Sequence, residues 1–148
     1  MNMKKGSLII VVFCLLTAAC SSMKKQTETK ADQVATLAGT WVLDVVPYTK
    51  GTFDSLYPET KPSLSFDPVQ KKFTGYSGCN GINGALVADS NAISFKGDII
   101  MTMKACPGDG ESVFMENLKR INKYAVSANG KELTLIQGDL ALMHFHKK

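Results

Sequence analysis

The residues best suited to chemistry in this 148-residue chain lie in one glycine-rich stretch and one histidine pair. Residues 75–84 read GYSGCNGING, which places Cys79 between closely spaced glycines. A cysteine nucleophile needs a base within hydrogen-bond reach, and the imidazoles of this chain are His144 and His146. A phosphate-binding loop needs Gly-Lys-Ser/Thr at the start of a helix, and a redox pair is usually Cys-x-x-Cys. Neither motif occurs here, so the sequence favours a sharp turn at the end of a strand with a structural cysteine.

His144 and His146 are two positions apart on a predicted strand, so their side chains point to one face and could share a metal ion. Asp139 and Glu132 are the obvious third ligands. Because the HFHKK terminus is polar and basic, exposed imidazoles are the favoured interpretation, and we predict no metal site and no cofactor. A matched nucleophile, base and oxyanion set is also missing from the sequence, so we predict no catalytic residues and no enzyme activity.

The first twenty residues are typical of an export signal. Lys4 and Lys5 precede nine apolar residues, 8–16, and small residues lead to Cys20. Nine residues make roughly 14 Å of helix, which is too short to span a bilayer. The end of the segment, LLTAAC, resembles a bacterial lipobox, although Thr17 stands where leucine is usual. We predict a signal peptide over 1–19 and lipid attachment at Cys20. The alternatives are an ordinary cleaved signal with a chance cysteine, or an uncleaved anchor.

Residue types after Cys20 predict the location and the tether. Ser21 follows the cysteine where aspartate would retain an enterobacterial lipoprotein in the inner membrane, so we expect a lipid anchor in the outer membrane, facing the periplasm. Residues 20–36 are polar and mixed in charge, which is typical of a flexible tether. Without Lys4 and Lys5 the formal charge falls from +4 to +2, too little for a basic nucleic-acid-binding face.

Cysteine usage predicts one disulfide bond. Cys14 lies in the predicted signal and Cys20 is predicted to carry lipid, so Cys79 and Cys106 remain in the exported domain. Two cysteines in an oxidising compartment are most simply paired. The alternative is two buried, unpaired cysteines that act as small hydrophobic residues.

Residues 37–148 predict one strand-rich α+β domain. Apolar residues recur with a period of two and are separated by turn residues, which predicts about eight or nine short strands in an antiparallel sheet or partly closed barrel. Met101 and Met103 alternate with polar residues and are expected to face the core. One amphipathic helix of three to four turns is predicted to pack on the sheet, from an apolar spacing of i, i+4, i+7 and i+11 at Phe114, Leu118, Ile121 and Ala125, with Tyr124 beside them.

These motifs, taken together, resemble the META-domain family, which includes the bacterial heat-shock lipoprotein HslJ. The resemblance rests on Gly39-Thr40-Trp41-x-Leu43, on Gly78-Cys79-Asn80, on Thr102-Met103-x-Ala105-Cys106, and on the helix and closing strand pair that follow. It implies a small α+β domain wrapped around one helix, associated with the bacterial envelope and with stress responses. No shared catalytic activity defines the family, so the resemblance implies only a structural role for Cys79 and Cys106.

The expected function is that of a non-enzymatic, lipid-anchored envelope protein that acts in stress response or outer-membrane integrity. Its expected partners are the membrane, through the N-terminal lipid, and an unidentified periplasmic or outer-membrane protein, and we expect a monomer. One alternative is a binding module for a hydrophobic ligand or peptide in a cleft between sheet and helix. Another is an inhibitor of an envelope-attacking enzyme that inserts residues 48–57.

Overall fold

A computed structural model describes residues 30–48 and 50–148. The predicted signal peptide, Cys20 and most of the predicted tether lie outside these residues. The described helices are α1 (Lys30–Ala35), α2 (Phe53–Leu56) and α3 (Gly110–Arg120). The described strands are β1 (Gly39–Val45), β2 (Ser63–Asp67), β3 (Lys72–Tyr76), β4 (Gly81–Ala85), β5 (Val87–Asp89), β6 (Ala92–Ser94), β7 (Ile99–Met101), β8 (Lys123–Val126), β9 (Glu132–Gln137) and β10 (Leu140–Lys147).

The strands form one curled antiparallel sheet, a half-barrel, in the order β5-β6-β8-β9-β10-β1-β2-β3-β4-β7. This confirms the predicted α+β class and the strand-rich architecture, with ten strands in the described part of the chain instead of eight or nine. The three helices include α1, which occupies the end of the segment predicted as a tether. Among the described residues, no helix is long and apolar enough to cross a bilayer.

The core lies on the concave face of the sheet and follows from the alternation of β1. Trp41 and Leu43 are fully buried, while the residues between and beside them are more exposed. The indole N–H of Trp41 donates to the carbonyl oxygen of Leu37 over 2.8 Å, which satisfies the polar atom of a buried ring. Phe73 and Phe95 meet edge to face with ring centroids 5.2 Å apart. The period of two predicted for Trp41, Leu43 and Val45 therefore identifies the buried face of β1 at the first two positions, whereas Val45, the last residue of the strand, is 52% exposed.

The predicted helix is present as α3, but the apolar spacing extends beyond its end. Phe114, Leu118 and Ile121 are fully buried as expected, but α3 stops at Arg120 and Ile121 is already extended. Tyr124 and Ala125 lie on β8, where Tyr124 is buried and Ala125 is exposed. Antiparallel pairing of β8 with β9 supplies backbone hydrogen bonds that a continued helix could not have made with the sheet. The pairing of β8 with β9 thus decides the structure of residues 123–126, although the apolar spacing of the sequence continues the helical pattern through Ala125.

The prediction that Met101 and Met103 face the core is wrong. Met101 is 38% exposed and Met103 is 97% exposed. Ile100, the middle residue of β7, is 67% exposed. In the described part of the chain, β7 is the last strand of the sheet and has β4 as its single partner, so its outer edge is uncovered. Alternation predicts which residues share a face of a strand, but the position of the strand in the sheet decides whether that face is covered.

Candidate functional site

The site is built where the β3–β4 turn meets the segment that connects β7 to α3. Tyr76 pairs with Gly81, so residues 77–80 form the turn, and Cys79 lies within it. Cys106 lies four residues before α3 begins. The two sulfur atoms are 2.03 Å apart, the Cα atoms are 5.9 Å apart, and the cysteines form a disulfide bond as the sequence predicts. The disulfide therefore joins a hairpin turn to the approach of the helix.

The Asn80 side chain organises the backbone around the disulfide. Its amide oxygen accepts from the Lys104 N–H and from the Thr102 hydroxyl, each over 2.8 Å. Its amide nitrogen donates to the Lys104 carbonyl oxygen over 3.0 Å and to Glu111 Oε2 over 2.9 Å. Asn80 is only 2% exposed, so a polar side chain that is nearly buried has its hydrogen-bonding groups satisfied. The Asn80 side chain thus bonds to both backbone groups of Lys104, as the backbone of a neighbouring strand would, and holds the β7–α3 segment to the turn.

Glu111 links this turn to the first turn of α3. The fully buried hydroxyl of Ser77 donates to Glu111 Oε2 over 2.5 Å, so this oxygen accepts two hydrogen bonds. Ser77 Oγ also accepts from the Asn80 N–H over 2.9 Å, which closes the turn. A carboxylate in the first turn of a helix is favourably placed against the N-terminal dipole. The motifs Gly78-Cys79-Asn80 and Thr102-Met103-x-Ala105-Cys106 do not predict this contact, because Glu111 lies outside both of them.

Tyr57 packs its ring against two backbone positions that have no room for a Cβ atom. Gly78 has φ +96°, and a Cβ there would lie 2.8 Å from the ring of Tyr57. At Gly110 a Cβ would lie 2.7 Å from the carbonyl oxygen of Leu56. The Tyr57 hydroxyl donates to the Gly110 carbonyl oxygen over 3.0 Å. Burial of this phenol disfavours its charged form and raises its pKa.

A cleft of about 370 Å³ opens beside the disulfide. It lies between residues 55–60 around the end of α2, the β3–β4 turn, and residues 104–111 that lead into α3. Its walls include the tyrosines 48, 57 and 76, both cysteines of the disulfide, and the carboxylates of Glu59, Asp109 and Glu111. The position, at the mouth of a curled sheet beside a helix, is one where small-molecule and peptide sites commonly occur.

The predicted histidine pair lies elsewhere. His144 and His146 are exposed on the same face of β10, as expected, and neither lines the cleft. His146 Nδ1 lies 2.8 Å from Asp44 on β1, and His144 Nδ1 lies 3.2 Å from the Thr134 hydroxyl. In the described part of the chain neither Asp139 nor Glu132 forms an ion pair with an imidazole, although Glu132 lies opposite His146 in the pairing of β9 with β10; Asp139 pairs with Lys123. The structure therefore does not bring an imidazole to Cys79.

Within residues 30–48 and 50–148, the only group of three potential metal ligands is Cys79, Cys106 and Glu111, whose ligand atoms lie within 4.8 Å of one another. The two sulfurs are bonded to each other and are not thiolates, which are the form that binds a metal ion. The chemistry of this cluster is therefore that of a disulfide against a hydrogen-bonded carboxylate.

The sequence profile of the META domain matches residues 34–148. The chain belongs to the META-domain family. This META domain is also similar to the solution structure of a protein from Burkholderia xenovorans, with 20% identity, a TM-score of 0.60, and coverage of 81% of this chain and 89% of that one. It is similar to the crystal structure of a DUF4847 family protein from Bacteroides vulgatus, with 18% identity, a TM-score of 0.50, and coverage of 76% and 94%. No curated protein matches the chain. At these identities the two structures support the fold and nothing further.

Proposed function

We propose that this protein is a non-enzymatic envelope lipoprotein whose META domain is exported and held at the outer membrane through lipid on Cys20. The observation that carries the proposal is the disulfide between Cys79 and Cys106, which uses both cysteines of the domain. Disulfides persist mainly in oxidising compartments, and the LLTAAC segment precedes the domain by fewer than twenty residues. The pairing leaves Cys20 as the cysteine available at the end of the signal.

A structural rather than catalytic role for the cysteine site is supported by how its groups are used. Ser77, Asn80 and Glu111 bond to one another and to backbone groups. A nucleophile would instead need a free hydroxyl or thiol beside a base. We therefore propose that the domain acts by binding or by supporting the envelope, and that stress response is the setting, as the family resemblance implies.

The anchor is tested by intact mass and by fractionation of the full chain expressed with its own N-terminus. We expect a chain that begins at Cys20, carries a diacylglycerol-type mass addition, and is recovered with outer membranes. Cys20→Ser should abolish the addition and release the protein from the membrane. Cys14→Ser, a matched change in the predicted signal, should leave both unchanged. An unlipidated wild-type chain, or lipidation that survives Cys20→Ser, would refute the anchor.

The stress role is tested by deleting the gene and measuring survival after heat and after challenge with a large antibiotic that the outer membrane excludes. Wild-type protein should restore survival, and Cys20→Ser protein at equal abundance should not, because it is not held at the membrane. If deletion changes neither phenotype, the proposed role in envelope integrity is wrong, whatever the outcome for the anchor.

The second candidate is a binding module that uses the cleft beside the disulfide. The observation that favours it is a concave site of about 370 Å³ with aromatic and charged walls. The inhibitor alternative is less well supported, because Tyr57 at the end of the loop is only 5% exposed and its hydroxyl is bonded to Gly110. A ring fastened in this way contributes to the wall of the cleft and is not available to insert into an enzyme.

A further inference from the structure

We propose that the cleft beside the disulfide binds the cationic side chain of a lysine or arginine in a peptide segment of a partner protein. This inference rests on the binding-module candidate above and specifies the chemistry of its ligand. Its basis is a contrast of charge between the cleft and the rest of the molecule, combined with aromatic walls and one carboxylate held in place.

The charge of the cleft opposes that of the chain. Glu59, Asp109 and Glu111 line it and Lys104 is the cation in its lining, whereas the chain carries a formal charge of +4, or +2 without Lys4 and Lys5 of the predicted signal. Lys50 stands at the rim, 3.1 Å from Asp109. Even with Lys50 counted, carboxylates exceed cations by one. A concave acidic site on a basic protein concentrates cations and disfavours anionic ligands.

Glu111 is the carboxylate best placed to orient such a cation. Its Oε2 accepts from Ser77 and Asn80, both nearly fully buried, so the rotamer is held before any ligand arrives. Its Oε1 makes no hydrogen bond to the part of the chain that the structure describes and is left to receive an N–H donor. Preorganised acceptors lose less entropy on binding than mobile surface carboxylates.

The aromatic walls suit the methylene stem and the charged head of a basic side chain. Tyr48 and Tyr76 line the cleft with partly exposed rings, together with the apolar edge of the disulfide, whereas the Tyr57 ring in its wall is only 5% exposed. Tyrosine rings attract ammonium and guanidinium groups through their π-faces, and they also cover the alkyl stem. Because the cleft is open and about 370 Å³ in volume, it accommodates one basic side chain with part of its backbone.

The test uses the purified full chain in mild detergent and isothermal titration with pentapeptides that differ only in a central lysine, arginine, norleucine or glutamate. We expect the lysine and arginine peptides to bind at least about tenfold more tightly than the norleucine peptide, and the affinity to fall as salt is raised. The glutamate peptide should not bind. Equal affinity for lysine and norleucine, or binding of the glutamate peptide alone, would overturn the inference.

Matched variants locate the effect. Glu111→Gln should weaken the lysine peptide about tenfold, whereas Glu116→Gln, the same change on an exposed position of α3 outside the cleft, should not. Because Glu111 also supports the turn, thermal unfolding checks that the variant is folded. Glu59→Gln, which changes an exposed cleft carboxylate, provides a second variant and should weaken binding about threefold.

Other outcomes separate this inference from the proposals on which it rests. Binding of uncharged peptides with no preference for a cation would refute the ligand class and keep the binding module. No binding of any peptide or of any lipid vesicle would refute both. Binding only to vesicles that contain phosphatidylethanolamine would refute a peptide partner in favour of a lipid amine. None of these results bears on the lipid anchor, which the mass of the N-terminus decides.

Discussion

Replacement of Asn80 by alanine should destabilise the domain severely, because this side chain substitutes for backbone pairing between the β3–β4 turn and the segment after β7. The alanine removes hydrogen bonds to both backbone groups of Lys104, to the Thr102 hydroxyl and to Glu111.

The magnitude follows from the partners. Three bonds to neutral groups contribute about 1 kcal/mol each and the bond to the carboxylate about 2 kcal/mol, for a gross value of about 5 kcal/mol. Thr102 and Lys104 are exposed, so water replaces part of this loss. We therefore expect Asn80→Ala to lower the free energy of unfolding by about 3 kcal/mol, which corresponds to a Tm lower by about 10 °C.

The assay is guanidinium and thermal unfolding followed by the fluorescence of Trp41, the single tryptophan, which is fully buried. Asn83→Ala is the matched control, since Asn83 is exposed on β4 and makes no side-chain hydrogen bond in the described structure. A free-thiol assay must show that the disulfide is intact in each variant. If Asn80→Ala and Asn83→Ala differ by less than about 0.5 kcal/mol, the role assigned to Asn80 is wrong.

Three further predictions concern the same region. Replacing Cys79 and Cys106 together by alanine should lower the free energy of unfolding by about 3.5 kcal/mol, which is the chain-entropy value for a loop of this length. A denaturant titration of the wild-type protein with a reductant present should show the same loss. Gly78→Ala should lower the free energy of unfolding by about 2 kcal/mol, because the position has φ +96° and its Cβ would meet the Tyr57 ring. Gly97→Ala should change the free energy of unfolding little, because nothing lies within 4 Å of a Cβ at that position. Equal Tm values for the two variants would contradict the packing described. Because burial raises the pKa of Tyr57, the folded state keeps the phenol proton at a pH where the unfolded state has lost it. The contribution of Tyr57 to the free energy of unfolding should therefore be complete below pH 10 and decrease as the pH rises further. This decrease should be shallower in Tyr57→Phe.

The sequence predicted the features that depend on local pattern. Alternation in β1 identified Trp41 and Leu43 as core residues, and both are fully buried. Counting the cysteines available after export identified the pair that forms the disulfide. Both inferences succeed because they require only the period of a strand or the number of candidate partners, and neither requires a three-dimensional position.

Predictions failed where a pattern was consistent with more than one tertiary arrangement. The apolar spacing through Ala125 fits a helix, but the pairing of β8 with β9 ends α3 at Arg120. Alternation at Met101 and Met103 fits a buried strand face, but Met101 ends β7 at the edge of the sheet, Met103 lies beyond the strand, and both side chains are exposed. In both cases the deciding interaction is with residues distant in sequence.

The amino-acid sequence by itself determined the class of the fold, the cysteine pair and the family, because each depends on residue types and their spacing. Only the tertiary structure placed Asn80 between the turn and the β7–α3 segment, set Glu111 against Ser77, and enclosed an acidic, aromatic cleft beside the disulfide. The hydrogen bonds of Asn80 and Glu111 across this site join residues 22 to 34 positions apart. Their partners are chosen by the curl of the sheet and the packing of the helix, which no local period encodes.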